Sequence, residues 1–206
     1  MSNILYQGAE AIISRSTFME YPAVVKKRVS KRYRISEIDT TLISSRTREE
    51  AKLIVESRKC GVCVPIIYDI DLTHGSIIME YLDGKRVKDI IEGLSSKEQK
   101  ELCHKIGVSI ARLHNNDIIH GDITTSNMIL VEDHVHFIDF GLGCKESEIE
   151  SKGVDLHVFM EAFESTHSQY PQCFSYVLEG YRKEYKENAD LVEQKIDDIV
   201  RRGRYR

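Results

Sequence analysis

Two aspartates and an asparagine stand at a spacing that could serve phosphate chemistry. Asp122 ends a His-Gly-Asp sequence, Asn127 comes five residues later, and Asp139 begins an Asp-Phe-Gly sequence. In magnesium-dependent phosphoryl transferases, an Asp in the first position orients the attacking hydroxyl or water. The Asn and the second Asp hold Mg²⁺ on the nucleotide phosphates. We therefore predict that Asp122 is catalytic and that Asn127 and Asp139 bind the metal and the nucleotide.

The segment between these residues favours a structure that would bring them together. Met128–Val131 and Val135–Ile138 are short apolar runs, and the polar residues Glu132-Asp133-His134 separate them. Two such runs around a polar turn predict a β-hairpin. A hairpin here would place Asn127 at the start of one strand and Asp139 at the end of the other.

The beginning of the chain is predicted to form a β-meander. Short apolar segments between residues 3 and 29 are separated by small and turn-forming residues. The first break contains Gly8, Ala9 and Glu10, at the place where a kinase has its phosphate-covering loop. We predict that these three residues bind the nucleotide, although a single glycine in this loop is a weak signal.

A lysine at the end of a β-branched run is the predicted phosphate-binding cation. Lys26 follows two valines, and side chains alternate along a strand, so only one of two neighbouring lysines can face the nucleotide. In kinase-like enzymes this lysine pairs with a helix glutamate. We choose Glu50, on a helix predicted over Thr47–Lys59. The competing candidates are Lys27 for the lysine, and Glu49 and Glu56 for the acid.

Residues that could hold an adenine ring follow this helix. Ile66–Ile70 and Ser76–Tyr81 are predicted strands, and the second runs into a break at Leu82-Asp83-Gly84 that could link two lobes. In that position Met79 would line the back of an adenine pocket. The backbone groups of Glu80 and Leu82 would hydrogen-bond the base.

The rest of the chain is predicted to be mostly helical. Ser95 and Glu98 form a capping-box pattern before an amphipathic helix with apolar residues from Leu102 to Leu113. Further helices are predicted from about Gly153, over Gln172–Tyr185 and over Asp190–Val200. Neither an Ala-Pro-Glu sequence nor a long activation segment follows Asp139.

Composition narrows the class of protein. The chain has 206 residues, of which 41% are hydrophobic and 30% are charged, and every apolar run is far too short to span a bilayer. We therefore expect a cytoplasmic protein that does not enter a membrane. Five scattered cysteines include one Cys60-Gly61-Val62-Cys63 sequence without a matching second pair, which favours reduced thiols over a zinc site.

Local charge is more informative than the net charge of −4. Two basic clusters suggest a surface that faces phosphates. The first comprises Lys26, Lys27, Arg28, Lys31, Arg32 and Arg34, and the second comprises Arg201, Arg202, Arg204 and Arg206.

These motifs together resemble the small atypical kinase/ATPase subunit of the KEOPS (EKC) complex, the PRPK-like family, in its archaeal stand-alone form. The resemblance extends over nearly the whole chain. It is carried by Gly8–Ala11, Lys31–Arg34, Asp39, Arg46-Thr47, Glu50-Ala51, Met79–Tyr81, His120–Asn127, Asp139–Gly141 and Arg202–Arg206. Gly121 departs from typical protein kinases, which have an arginine there that pairs with a phosphorylated activation loop. Control by activation-loop phosphorylation is therefore not expected.

The resemblance implies an α+β, reduced two-lobed protein-kinase-like fold. Residues 1–82 would form a small β-sheet lobe with one helix, and residues 83–206 a mostly helical lobe. It also implies ATP and Mg²⁺ as cofactors, non-specific Ser/Thr phosphorylation, ATPase activity and support of threonylcarbamoyladenosine (t6A) modification of tRNA. The implied partners are a Kae-type threonylcarbamoyl transferase subunit, a small KEOPS subunit on the N-lobe, and tRNA on the basic segments.

Three other functions compete with this interpretation. Small-molecule phosphotransferases of the aminoglycoside or choline kinase type share the His-Gly-Asp loop, but only about 65 residues follow Asp139 to form a substrate-binding insertion. A RIO-type kinase also lacks an activation loop. A pseudoenzyme scaffold would not need Lys26, Asp122, Asn127 and Asp139, all of which are present.

Overall fold

A computed structural model describes residues 4–31 and 33–204 of the chain. The elements follow the order predicted from the sequence, a β-rich N-terminal part and a mostly helical C-terminal part. The N-terminal elements are β1 (Ile4–Gln7), β2 (Ala11–Phe18), β3 (Tyr21–Arg28), α1 (Ser36–Lys59), β4 (Ile67–Asp71) and β5 (Ser76–Glu80).

Five antiparallel strands form the N-terminal sheet in the order β1-β2-β3-β5-β4. The central strand β3 pairs with β2 on one side and with β5 on the other, where Val24 lies opposite Met79. Alternation along β3 buries Lys26 and Arg28 and exposes Lys27. The predicted meander is therefore confirmed, and its register settles which of the two lysines points inward.

The helix predicted over Thr47–Lys59 is longer than predicted, because α1 begins at Ser36. Its first half is rich in Thr, Ser and Ile, residues with modest helix propensity. The hydroxyls of Thr40 and Thr41 instead bond carbonyls one turn back within the helix, at 2.8 Å each. The buried Asp39 lies in the first turn, where a negative charge is favourable, and accepts a hydrogen bond from Lys31 N at 3.1 Å.

The C-terminal part contains four longer helices and short strands around residues 120–127, which we call the catalytic loop because this segment carries the predicted catalytic residue Asp122. Its elements are β6 (Lys85–Arg86), α2 (Val87–Ile90), α3 (Ser96–His114), β7 (Ile118–Ile119), β8 (Met128–Val131), β9 (His134–Phe137), β10 (Cys144–Lys145), α4 (Ile149–Thr166), α5 (Gln172–Glu184) and α6 (Ala189–Arg204). The predicted hairpin is confirmed as β8 and β9, and the capping box of Ser95 and Glu98 is present at the start of α3.

Helices α3 and α5 approach each other closely through two glycines. A Cβ atom on Gly107 would lie 1.9 Å from the carbonyl oxygen of Val177, and one on Gly180 would lie 2.1 Å from that of His104. Any side chain at either position would push the helices apart. Buried residues of this pair, such as Ile106, Ile110 and Tyr181, belong to the same hydrophobic core as Ile123 of the catalytic loop.

The remaining helices differ from the predictions mainly at their ends. Helix α4 begins at Ile149, four residues before the predicted Gly153, and α6 continues to Arg204 instead of ending near Val200. The first arginines of the basic C-terminal cluster are therefore helical. Among the helices described, none combines the length and apolar character needed to cross a membrane.

Candidate active site

The hairpin β8–β9 positions the two predicted metal ligands. Asn127 immediately precedes β8, and Asp139 follows β9 by two residues. Ile138 N donates to the carbonyl oxygen of Asn127 at 3.0 Å, which ties the two ends of the hairpin together. The backbone of Asp139 has a φ of 65°, a left-handed conformation that is uncommon for residues other than glycine and is often found at functional sites.

Asp122 and Asn127 contact each other directly within the catalytic loop. Asn127 Nδ2 donates to the side chain of Asp122 at 2.9 Å and to its backbone carbonyl at 3.0 Å. Because the amide nitrogen is engaged in this way, Oδ1 is the amide atom of Asn127 that could bind a cation. The same contact fixes the orientation of the Asp122 carboxylate.

A buried aspartate that the sequence analysis did not identify anchors this loop. Asp155 on α4 accepts hydrogen bonds from the backbone N–H groups of His120 and Gly121, at 2.9 and 2.8 Å. Its carboxylate also contacts His114 Nε2 at 3.2 Å. Burial raises the pKa of Asp155, but the contact with His114 and the backbone donors outweigh this effect and lower the pKa. The signal available in the sequence was an aspartate among the apolar residues Val154, Leu156, Val158 and Phe159 of the predicted helix.

Gly121 is required by the close packing of the segment after Asp139. Its φ is 81°, and a Cβ atom there would lie 2.4 Å from the carbonyl oxygen of Leu142. The site therefore has no room for the arginine that typical protein kinases carry at this position. The segment reaches α4 within ten residues of Asp139, and β10 within it pairs with β7.

Lys26 lies between two carboxylates. Its Nζ is 2.5 Å from Glu50 Oε1 and 2.6 Å from Asp139 Oδ1, so it connects α1 to the end of the hairpin. Burial lowers the pKa of Lys26, but the charges of Glu50 and Asp139 outweigh it and raise the pKa. Burial likewise raises the pKa of Asp139, and the charge of Lys26 outweighs it and lowers the pKa.

The other acids considered as partners of Lys26 lie elsewhere. Glu49 is exposed on α1, and Glu56 pairs with Lys145 at 2.8 Å. Glu50 has a second cation as well, because Arg28 Nη2 lies 2.5 Å from its Oε2. The sequence analysis counted Arg28 only within a basic cluster. The position of Arg28 two residues after Lys26 on the same strand face was the signal that could have identified it.

The predicted nucleotide-binding residues line two adjoining cavities of about 290 and 420 Å³, and Lys26, Asp122 and Asp139 line both. Gly8, Ala9 and Glu10 line the smaller cavity, which we call the phosphate cavity. Met79, Glu80, Leu82 and Asn127 line the larger one, which we call the hinge cavity. The walls of the hinge cavity also include polar residues such as Arg86 and Ser126, and apolar residues that the sequence analysis did not assign: Leu5, Tyr6, Ile13, Val24, Pro65, Ile129 and Ile138.

The backbone of the hinge has only some of its groups free. Glu80 N donates to the carbonyl oxygen of Ile66 at 2.8 Å, and Tyr81 N donates to that of Pro22 at 3.2 Å. Of the polar backbone groups of Glu80, the carbonyl is thus the one that could contact a base. Met79 is buried at the back of the hinge cavity, where it also packs against Ala51 and Ile77.

The donor set fits a hard divalent cation. Asp139 offers a half-exposed carboxylate and Asn127 offers an amide oxygen, which are the oxygen ligands that Mg²⁺ prefers when phosphates and water complete its coordination. Cys60 and Cys63 are free thiols. Across residues 4–31 and 33–204, His, Cys, Asp and Glu side chains form no group of three or more that could hold a metal.

Known proteins share this sequence and fold. The family model for the protein kinase domain matches residues 15–169. The KEOPS complex subunit Bud32 of Pyrococcus abyssi is 43% identical over 211 residues, which covers 98% of this chain and 96% of that protein. The "Probable bifunctional tRNA threonylcarbamoyladenosine biosynthesis protein" of Methanobrevibacter smithii is 45% identical over 207 residues. That match covers 98% of this chain but only 37% of the relative.

Solved structures support the fold independently. The Rio2 kinase of Chaetomium thermophilum, solved with ADP, Mg²⁺ and phosphoaspartate, matches with a TM-score of 0.67 and 16% identity, over 94% of this chain and 64% of that one. WaaP, solved with acyl carrier protein, matches with a TM-score of 0.66 and 13% identity, over 96% and 88% of the two chains. The protein-kinase-like fold expected from the sequence is confirmed. The chain belongs to the protein kinase family and, within it, to the group of the KEOPS subunit Bud32.

Proposed function

We propose that this protein is an ATP-dependent phosphotransferase that also hydrolyses ATP. The observation that carries the proposal is the contact of Lys26 with both Glu50 and Asp139, opposite the Asp122–Asn127 pair in one cleft. Ion pairs and hydrogen bonds from four separate segments meet there. This arrangement suits a reaction in which positioning and charge stabilisation supply most of the catalysis.

Each predicted residue has a role in this proposal. Asp122 orients the attacking hydroxyl or water and accepts its proton. Lys26 binds the α- and β-phosphates, and Glu50 holds Lys26 in place. Asn127 and Asp139 would hold Mg²⁺, which when bound neutralises charge on the phosphates.

In this proposal, the two cavities hold different parts of the nucleotide. The adenine would lie in the hinge cavity against Met79, with the carbonyl of Glu80 and the backbone of Leu82 as hydrogen-bonding groups. The phosphates would extend toward the loop of Gly8, Ala9 and Glu10. We also propose that Leu82 ends the N-terminal lobe, so that residues 1–82 and 83–206 form the two lobes around the cleft.

We propose further that the protein serves t6A modification of tRNA as the kinase subunit of a KEOPS complex. The support is the 43% identity to the Bud32 subunit over almost the whole length of both proteins. The chain spans about 37% of the bifunctional relative, so a second activity of that relative would lie in a part that this chain does not match. A separate Kae-type transferase subunit would supply it here, a small subunit would bind the N-lobe, and the complex would act in the cytoplasm.

The basic clusters are the proposed tRNA contacts. Several members of the first cluster are engaged in ion pairs, so fewer of its residues are available to bind tRNA. Lys26 and Arg28 point inward and pair with Glu50, and Arg34 pairs with Asp39 at 3.2 Å. Lys27 is the exposed member that remains on β3. In the second cluster, Arg201 and Arg202 are exposed on α6. Arg32, Tyr205 and Arg206 lie outside the described residues.

The competing functions find less support in the structure. After Asp139, the residues described through Arg204 form the short strand β10 and helices α4 to α6. The 43% identity to the Bud32 subunit over almost the whole of both proteins favours the KEOPS function over that of a small-molecule phosphotransferase. The similarity to Rio2 extends to the fold alone. Ser/Thr as the acceptor residues follows from the family resemblance and is part of the proposal.

Turnover of radiolabelled ATP by the wild type and by Asp139→Ala tests the proposal. We expect the wild type to release phosphate or label a protein acceptor, and the variant to lose nearly all of this activity because it lacks a metal ligand. Arg48→Gln, an exposed change on α1, is the matched control and should behave as the wild type. Equal rates in the wild type and Asp139→Ala would favour a scaffold without chemistry.

A further inference from the structure

The catalytic loop contains no cation of its own. The residues from His120 to Asn127 include neither lysine nor arginine. Transfer of a phosphoryl group spreads negative charge over the oxygens of that group, and enzymes commonly place Arg or Lys clamps there. Any such clamp in this protein must therefore come from another segment.

Two cations are present among the described residues that line the phosphate cavity, and both lie on β3. Lys26 is one, and Arg28 is the other. They are separated by one residue, so they project from the same face of the strand. Gly141, just after Asp139, lies against the guanidinium, since a Cβ atom there would be 3.4 Å from Arg28 Nη2. Arg28 thus lies beside the segment that carries the predicted metal ligand.

Arg28 is buried and only partly satisfied. Its side chain is 6% exposed, Nη2 pairs with Glu50 Oε2 at 2.5 Å, and Nη1 is 3.9 Å from Glu10 Oε2. Its Nε is also buried and has no hydrogen-bond partner within the described part of the chain. A guanidinium carries five N–H donors, and a buried donor without a partner is costly, so this side chain retains capacity for an anionic acceptor.

The arrangement of charges around Glu50 also supports an anion-binding role for Arg28. Lys26 pairs with one carboxylate oxygen of Glu50, and Arg28 pairs with the other. Lys26 also pairs with Asp139. These two cations and two anions balance before any ligand enters. A nucleoside triphosphate with Mg²⁺ brings additional negative charge, and Arg28 is the cation in this cluster that has a single close carboxylate contact.

We propose that Arg28 is a second phosphate-binding cation, which contacts the γ-phosphate of a nucleoside triphosphate while Glu50 holds its other end. This inference rests on the proposed function. It assigns to the N-terminal sheet the phosphate clamp that the catalytic loop lacks. A role confined to holding Glu50 would instead act through Lys26 on the α- and β-phosphates, and so would weaken Mg-ADP and Mg-ATP alike.

Binding of adenosine, Mg-ADP and Mg-ATP to the full chain, measured by calorimetry, separates these roles. Arg28→Gln should weaken Mg-ATP by about tenfold or more, Mg-ADP by less, and adenosine hardly at all, because a charge-assisted contact is lost only where phosphate is present. Arg28→Lys, which keeps the charge but not the fork, should show the same order with smaller losses. Arg48→Gln removes the same charge from an exposed site and should change none of the three affinities.

Two results would overturn the proposal, namely an equal loss for Mg-ADP and Mg-ATP or no loss for Mg-ATP. If Arg28→Gln does not fold, the order of the losses in Arg28→Lys decides by the same criterion. A wild type that binds adenosine and Mg-ATP equally would instead refute the proposed function, so the two failures are distinguishable.

Discussion

The two sides of the cleft are held in place by different kinds of contact. On the N-terminal side, Lys26, Arg28 and Glu50 form a buried network of ion pairs that reaches Asp139 across the cleft. On the C-terminal side, Asp155 fixes the catalytic loop by accepting two backbone hydrogen bonds from beneath. The first set of contacts lines the cavities, and the second is buried behind the loop.

This difference suggests a division between adjustable and fixed parts of the site. In the proposed binding mode, nucleotide phosphates and Mg²⁺ add charge beside Lys26 and Asp139, so we expect the ion pairs to redistribute when the ligand binds. The contacts of Asp155 are to two backbone N–H groups and to His114, and none of the residues involved lines either cavity. The catalytic loop is therefore organised in advance, which is what a mechanism based on positioning requires.

The largest effect is expected on the fixed side, at the catalytic residue. Asp122→Asn should lower the rate of phosphoryl transfer by about 10³-fold, because general-base and positioning roles of this kind contribute about 10² to 10⁴. The affinity for Mg-ATP should stay within about twofold, since Asn preserves the shape of the side chain. Single-turnover kinetics and calorimetry on the same samples measure the two quantities. If the affinity for Mg-ATP falls as much as the rate, Asp122 contributes to nucleotide binding and not only to catalysis.

A smaller effect, on stability, is expected on the adjustable side. Glu50→Gln leaves Lys26 and Arg28 buried without their shared carboxylate, and breaking a buried charge network in this way costs about 3 kcal/mol or more. Saturating Mg-ATP supplies negative charge to the same cations, so it should restore part of the lost Tm. Thermal unfolding with and without Mg-ATP measures this recovery. If the nucleotide raises the Tm of the variant no more than that of the wild type, the network does not adjust as proposed.

The matching change on the fixed side should not respond to nucleotide. Asp155→Asn removes a charged acceptor from two backbone donors and from His114, which should lower the free energy of unfolding by about 1–3 kcal/mol. The difference in Tm from the wild type should be the same with and without Mg-ATP. Recovery by nucleotide in this variant would erase the distinction between the two sides.

The pH dependence of the Asp155→Asn effect follows from the lowered pKa of Asp155. A carboxylate whose pKa is lower in the folded state stabilises the protein above its unfolded pKa of about 3.9. That stabilisation is lost as the pH falls through the folded pKa. The stability gap between the wild type and Asp155→Asn should therefore be constant near neutral pH and narrow below about pH 3.9. Denaturant unfolding across this range is the measurement, and a gap that widens in acid would contradict the assignment.

The smallest effect is expected at the basic C-terminal cluster. Deleting Gly203–Arg206 should weaken tRNA-stimulated ATP hydrolysis several-fold, because each lost phosphate contact reduces affinity for tRNA. Binding of Mg-ATP should be unchanged, since the nucleotide cleft is formed by other residues. If tRNA stimulates the truncated protein as strongly as the full chain, this cluster is not a tRNA contact.

Local signals in the sequence were sufficient for several elements. The capping box of Ser95 and Glu98 and the polar turn of the hairpin each arise from residues close together in the chain, and both are present. Alternation along β3 limited the choice to one of Lys26 and Lys27, and the two valines that lead into Lys26 were the reason for choosing it. The first half of α1 was missed because its hydroxyl-bearing residues have low helix propensity, and it is tertiary contacts such as those of Asp39 that hold it.

Long-range contacts were harder to predict. Asp155 contacts a loop more than thirty residues away, and Arg28 shares Glu50 with Lys26 across the sheet and α1. The local signals, an aspartate within the predicted helix and an arginine two residues after Lys26, do not identify the partner of either residue. The need for glycine at positions 107 and 180 is likewise visible only in the structure, where α3 and α5 pack closely against each other. The candidate site residues Asp122, Asn127 and Asp139 were predicted from motifs, whereas Asp155 and Arg28 were not.

In the proposed mechanism, Asn127 and Asp139 together hold Mg²⁺ beside the nucleotide phosphates, and the other roles depend on this site. Calorimetric titration of ATP into the wild type, Asn127→Leu and Asp139→Asn, each with and without Mg²⁺, tests this claim. We predict that Mg²⁺ strengthens ATP binding to the wild type by at least about tenfold and that either variant loses most of this gain. A Mg²⁺ effect of the same size in all three proteins would contradict the account.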